Sequence, residues 1–363
     1  MLHKLIDFSL KNRLLILVLA GVLTLAGIWR LTMLPIDAFP DTTPVQVQIN
    51  TVAPALNPEE IEQQITLPVE LSIGGLPGLT NVRSVSKFGF SQVVATFSDA
   101  TEIIDARQYV SERINAVGMP AGVARPQLGP IATGLGEVFH YIVRSEDLNR
   151  SLEELRTLHD WVIKPELRKV PGVAEVNSWG GEVKQYHVVV SPPALVKYDL
   201  TLDDVHRALR ANNANVGGGV ITSGGVAQLV HGIGRVASIP EIEAIVVVAR
   251  DGNPVYIRDV AEKVVIDHEI RRGAVTADGR GESVLGLAFM LMGENSQEVT
   301  RALKSQLDQV RPSLPDDVIL EVVYDRTELT NSVIQTVQHN LLLGAVLVVL
   351  VLFFLLGNLR AGL

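Results

Sequence analysis

The sequence contains no cysteine, which excludes disulfides and thiolate metal sites and agrees with, without requiring, a location outside the reducing cytosol. Catalytic signatures are missing too. No G-x-x-x-x-G-K-[ST] phosphate loop, no H-E-x-x-H pair and no G-x-S-x-G elbow occurs in the 363 residues, so no ATP-dependent step and no hydrolase chemistry can be assigned to this chain. The glycines at 217–219 lack the strand-to-helix setting of a dinucleotide site and read as hairpin flexibility. Only 5% of the residues are aromatic and five are methionine, the initiator included. Thioether chemistry therefore has little material to work with.

The apolar residues are segregated rather than scarce. They make up 47% of the chain, yet they crowd toward its two ends, while the middle has ordinary soluble composition. Near the N-terminus, the run Leu14 to Trp29 carries no charge. With the residues up to Leu34 it reaches about 20, enough to cross a hydrocarbon layer. A cleaved signal peptide would have a shorter apolar region and a small-residue cleavage site, so a retained anchor over 14–34 is expected. The charge-free stretch Leu329 to Leu359, with LLLGAVLVVLVLFFLL at its heart, predicts a second membrane helix over 329–359. Leu329, Val333, Ile334 and Val337 recur at helical spacing in its polar lead-in, so that helix is expected to begin outside the bilayer. Neither span holds an acidic residue, and no proton relay can be assigned within them.

Lys4, Lys11 and Arg13 precede the first span and Arg360 follows the second. This bias places residues 1–13, read as a short amphipathic helix on the inner leaflet or as an ordinary helical start, and residues 360–363 on the cytoplasmic side. Between Pro35 and Thr330 stand 26 Lys and Arg against 39 Asp and Glu. A net charge of −13 over that segment argues against nucleic acid or anionic lipid as its partner and is compatible with cations.

Alternating Val45 to Thr51 predicts a strand. A helix follows, capped by Asn57 with Pro58 in its first turn. Strands at Val82 to Lys87 and Ser91 to Phe97 flank a turn at Gly89, and a helix runs from about Glu102 to Ala116. The order β-α-β-β-α over 35–132 is that of a ferredoxin-like, split βαβ unit, its fourth strand unplaced. A second such unit is expected from 133–179 and 281–328. Its strands are Val138 to Arg144, Ala174 to Ser178, Val284 to Met292 and Val318 to Val323. Its helices are one opened by Ser151 and Glu154 as a capping box and one over Asn295 to Gln309. About 100 residues, 180–280, interrupt it and read as a small α+β domain with a helix at Leu202 to Ala211 and a hairpin around Asp251-Gly252. The fold class expected is thus α+β with transmembrane helices, two related units in series implying duplication.

Several stretches carry a resemblance. LPIDAFPDTTPVQVQI after the first span, PVELSIGGLPGLTNVRSVSKFGFSQV from Pro68, TGLGE from Thr133, IRDVAEK from Ile257 and MGENSQEV from Met292 together resemble the heavy-metal branch of the resistance-nodulation-division (RND) efflux permeases, over essentially the whole chain. The resemblance implies a proton-driven, multi-pass exporter of the bacterial inner membrane, of which this chain is the N-terminal third. It also implies a homotrimer working with a periplasmic adaptor protein and an outer-membrane channel. The α+β units would be porter subdomains and the insert a docking subdomain. The proton-relaying acidic residues of such pumps lie beyond Leu363, and no cofactor is expected, the metal cation being the cargo.

The resemblance also supplies candidate residues. The glycine-rich stretch of Gly217, Gly218, Gly219, Gly224 and Gly225 matches the arm that reaches into a neighbouring subunit. The strand after TGLGE borders the substrate cleft, and strict alternation would put Glu137, Phe139 and Tyr141 on one face of it. Glu137 could hold a divalent cation there, or be a solvated strand-end carboxylate. His140 is expected on the opposite face as a packing histidine, and Met290 with Met292 as core rather than as a thioether pair. An RND drug exporter would need a more aromatic cleft, and a two-span periplasmic receptor would need a cytoplasmic output module.

Overall fold

The computed structural model describes residues 11–32, 43–54, 56–147, 150–250, 252–271 and 273–356. The expected leaflet helix over 1–13 and the end 360–363 lie largely or wholly outside these. So do residue 251 of the expected hairpin and the far end of the first apolar run.

Helix α1 is Arg13–Thr32. The first sheet is then built from β1 (Gln46–Val52), β2 (Leu79–Lys87), β3 (Phe90–Phe97) and β4 (Gln127–Leu128) in the order β2-β3-β1-β4. All its pairings are antiparallel. Sequence alternation in β1 and β3 becomes strict alternation of burial, because one face of the sheet packs on two helices while the other does not. Those helices are α2, which runs Pro58–Ile61, a π-helical turn Glu62–Thr66 and Leu67–Ile73, and α3, Ile103–Ile114. Asn57 caps α2 in a reciprocal box with Glu60. Val47, Ile49, Val69, Ile73, Val93, Phe97 and Val110 close the core between sheet and helices, each large side chain contributing about 1.5–3 kcal/mol on burial. The fourth strand, invisible in the sequence, is only two residues long.

The second sheet has β5 (Glu137–Ser145), β6 (Val173–Trp179), β13 (Val284–Met290) and β14 (Val318–Asp325) in the order β14-β5-β13-β6. Counting only its own strands, this is the strand order of the first sheet. Its helices are α4, made of Leu152–Leu158, a π-helical turn His159–Ile163 and Lys164–Leu167, and α9, Ser296–Val310. The Ser151 hydroxyl accepts from the Glu154 amide. The likeness of the two units extends to a local defect. Pro68 and Pro165 each stand two residues past a π-helical turn. Proline lacks an N–H, and its ring crowds the carbonyl four residues back, so widening that turn relieves both problems without ending the helix.

Between β6 and β13 lies the insert, with a core of its own formed by Val205, Ala208, Ile242, Ile245, Ile257, Val260 and Val264. Its frame is an antiparallel pair that the sequence did not reveal, β7 (Lys184–Val190) with β12 (Ala261–His268). Helices α5 (Pro192–Tyr198), α6 (Leu202–Ala211), α7 (Ile239–Glu243) and α8 (Ile257–Val260) accompany it. It also carries the hairpins β8–β9 (Val216–Ser223, Val226–Gly232) and β10–β11 (Val246–Arg250, Asn253–Tyr256).

Helix α10, Arg326–Leu356, follows β14 without a break. Its stretch Arg326–Leu355 is long and apolar enough to cross a membrane, whereas the apolar stretch of α1, Leu14–Gly27, falls short of that by itself.

Candidate functional site

Strand β5 sets the site, through a bulge. Glu137 and Phe139 face the successive residues Phe289 and Ala288 of β13, so Val138 is one residue too many for that ladder. A residue inserted this way flips the side chains on one side of it relative to the other. Glu137 therefore does not share a face with Phe139 and Tyr141, as strict alternation had suggested. Phe139 and Tyr141 are wholly buried in the core of the second unit, while the Glu137 side chain keeps 36% exposure. His140, expected on the far side from Glu137, instead meets it. Its Nε2 stands 2.5 Å from Glu137 Oε1, and its ring packs on that of Tyr324 with centroids 4.7 Å apart. Shielded from solvent, the Nε2 atom makes no hydrogen bond.

The loop leading into Glu137 is gripped from both sides. Gly136 N–H donates to Thr133, and Met292 N–H donates to Ile131. From α10, the Arg326 guanidinium donates to the Leu135 carbonyl. Arg326 is 3% exposed. Beside it the Asp325 carboxylate, also buried, is paired with Lys304 of α9 and accepts from the Thr327 N–H and hydroxyl. Burial opposes its ionisation, but Lys304 and Thr327 outweigh that and hold the carboxyl below its usual range.

Behind β5, Tyr141 reaches inward. Its hydroxyl meets His159 Nε2 at 2.8 Å, His159 Nδ1 faces Asp160 at 3.3 Å, and Asp160 also accepts from Ser178 and Arg156. Burial lowers the His159 pKa against the pull of Asp160, and it raises that of the Tyr141 phenol, with Asp160 adding to the rise. Nothing in the sequence placed His159 beside Tyr141.

Met290 is core, and Met292 lies past the end of β13, in the turn. The two do not form a thioether pair on one strand. The glycine-rich stretch is the hairpin β8–β9, whose described side chains are exposed. Ser223 pairs with Val226 across a two-residue turn, where Gly224 and Gly225 both have positive φ, 60° and 78°. A tight hairpin of that hand demands this at both positions. Gly217, Gly218 and Gly219 sit in β8, and a side chain at Gly218 would run into Val230. Val216, Val220, Ile221, Val226 and Leu229 are exposed on this hairpin. Among the described residues no group of three or more His, Asp or Glu is set to hold a metal ion.

Residues 5–363 match the AcrB/AcrD/AcrF family. Over its whole length the chain is 48% identical to protein HelA of Legionella pneumophila and 45% identical to the cobalt-zinc-cadmium resistance protein CzcA of Cupriavidus metallidurans, spanning 35% of each. It is 38% identical to the cation efflux system protein CusA of Escherichia coli, again over the whole chain and 35% of that protein. A crystal structure of a heavy metal efflux pump superposes with a TM-score of 0.90 at 32% identity, covering 99% of this chain and 36% of the pump. The chain thus spans about a third of the length of these relatives.

Proposed function

Because this chain belongs to the AcrB/AcrD/AcrF family, we propose that it forms the N-terminal part of an inner-membrane, proton-driven exporter of heavy-metal cations. The observation that carries this reading is the 45% identity to a cobalt-zinc-cadmium resistance protein, sustained along the whole chain. Residues 35–132, and 133–179 with 281–328, are then two ferredoxin-like porter subdomains. The shared strand order of their sheets and the matching π-helical turns support that division. Residues 180–280, with a core of their own, form the docking subdomain, facing a periplasmic adaptor and an outer-membrane channel. Helices α1 and α10 cross the bilayer with both chain termini on the cytoplasmic side, and the β8–β9 hairpin is the arm into the next subunit of a homotrimer. Its bare apolar side chains support that role, since solvent alone gives them no reason to be there.

Within this frame Glu137 holds the cargo. It is a part-exposed carboxylate on the first residue of β5, while Phe139 and Tyr141 shape the wall behind it from within the core rather than touching the ion. The negative charge of the exported segment draws cations toward such a site. The test is metal tolerance in cells carrying the full-length gene: Glu137→Gln lowers tolerance to zinc, cobalt or cadmium with an unchanged amount of protein in the membrane. Unchanged tolerance removes Glu137 from the path.

A further inference from the structure

We infer that His140 is the second donor of the Glu137 site, so that this chain presents a paired imidazole nitrogen and carboxylate oxygen to a divalent cation of borderline softness such as zinc, cobalt or nickel. The inference rests on the reading of Glu137 as the cargo residue and adds to it a partner and a selectivity.

The geometry at His140 is poor for a proton and good for a metal. A hydrogen bond puts the proton on the line between nitrogen and oxygen. Here the atoms approach to 2.5 Å, yet Nε2, shielded from solvent, is left without a hydrogen-bond partner. An ion bound to both donors sits to the side of that line, about 2.1 Å from each. It would part them to roughly 3.0–3.4 Å, set by a 90–110° angle at the metal. The bulge at Val138 is what lets positions three apart on a strand converge in this way. Tyr324 packs on the imidazole face and holds the ring in place. Opening the pair by roughly 0.5–0.9 Å, the difference between that separation and the present one, asks only for a rotation of Glu137, the more exposed of the two at 36% against 22%.

Imidazole with carboxylate favours zinc, cobalt and nickel over calcium and magnesium, which prefer oxygen alone, and over copper(I), which prefers sulfur. Two donors also suit a transport site. The ion keeps open positions for water and is released without unmaking a closed cage, and among the described residues no third His, Asp or Glu completes one.

The test is zinc titration of the purified chain in detergent by calorimetry, with magnesium as the comparison, for wild type, Glu137→Gln, His140→Ala and His140→Phe. His140→Phe keeps a ring against Tyr324 but has no nitrogen. Both His140 variants should weaken zinc at least about tenfold, since losing even a group that merely orients a ligand costs that much, with magnesium binding unchanged, and His140→Phe should keep its melting temperature within about 2 °C. Zinc binding reduced by Glu137→Gln but intact in His140→Phe would overturn the inference and leave the Glu137 reading standing. Zinc binding untouched by any of the three would overturn both.

Discussion

The Tyr141 hydroxyl stands 2.8 Å from His159 Nε2, and both residues are fully buried. With Nδ1 of the same ring facing the Asp160 carboxylate, the network assigns the proton to Nδ1. The phenol then donates to Nε2, and His159 stays neutral. This chain of bonds ties β5, one of the two inner strands of the second sheet, to its first helix. It also needs space, which Gly286 of the neighbouring strand provides: a Cβ there would come 2.2 Å from Tyr141 Cζ.

Gly286→Ala should accordingly be among the most damaging single-methyl additions in the protein, costing about 1–3 kcal/mol through overpacking. Tyr141→Leu alone leaves the His159 nitrogen without a donor, for about 1–3 kcal/mol. If the tyrosine ring is what Gly286 makes room for, Gly286→Ala combined with Tyr141→Leu is less unstable than the sum of the two changes, as contacting residues couple. Denaturation midpoints of the four chains check this, and strict additivity would contradict it.

The same network makes stability depend on pH in a stated direction. Burial lowers the His159 pKa below its ordinary 6.5, Arg156 and Lys164 adding to the fall and Asp160 opposing it. As pH drops through 6.5 the unfolded chain takes up a proton at this position that the folded chain refuses, so acidification favours unfolding. Asp160 and Asp325, both held low, begin to lose their contribution only below about 3.8 and leave the window from pH 7 to 5 undisturbed. His268 acts the other way, since its bond to the Glu269 carbonyl raises its pKa and its contribution is fullest at low pH. The measurement is therefore a difference: wild type loses more thermal stability between pH 7 and 5 than His159→Gln does, and parallel curves would exclude His159 as the cause.

What the sequence disclosed follows from what period and composition encode. The long apolar helix α10 shows because charge is absent over a stretch long enough to cross a membrane, and β1 and β3 show because one face of their sheet is buried and the other is not. Strand β4 is too short to establish a period, and β7 and β12 are separated by the helices and hairpins of the insert, so their pairing leaves no local trace. The site was half legible. Glu137 stood out by its place as the last residue of TGLGE, but alternation assumes an unbroken ladder, and the bulge at Val138 reassigned its neighbours: Phe139 and Tyr141 went to the core and His140 came to the carboxylate. The prolines at 68 and 165 were a usable signal for the wide turns beside them, because a proline inside a helix must be accommodated somewhere.

Arg326 joins the long apolar helix to the site. It is the first residue of α10, it is buried, and it donates to the carbonyl of Leu135, two residues before Glu137. Thr330, one turn on, is also fully buried, whereas from Leu341 onward the side chains of α10 are largely exposed. The helix is thus seated firmly at the end that touches the Glu137 loop, and a tilt or shift of its apolar part must pass through that seat. Arg326→Met removes the donor and keeps most of the apolar stem. Losing a charge-assisted bond worth about 1.5–3 kcal/mol should free the loop locally. The amide of Gly136, bonded to Thr133 at 2.9 Å, should exchange with solvent about tenfold faster or more, at 1.4 kcal/mol per decade. Amides of β1 and β3 in the other sheet should keep their rates, and Arg326→Lys should fall between. Exchange at Gly136 that did not change in Arg326→Met would mean that the loop is held by its other bonds, those of Gly136 to Thr133 and Met292 to Ile131 among them, and that α10 has no grip on Glu137.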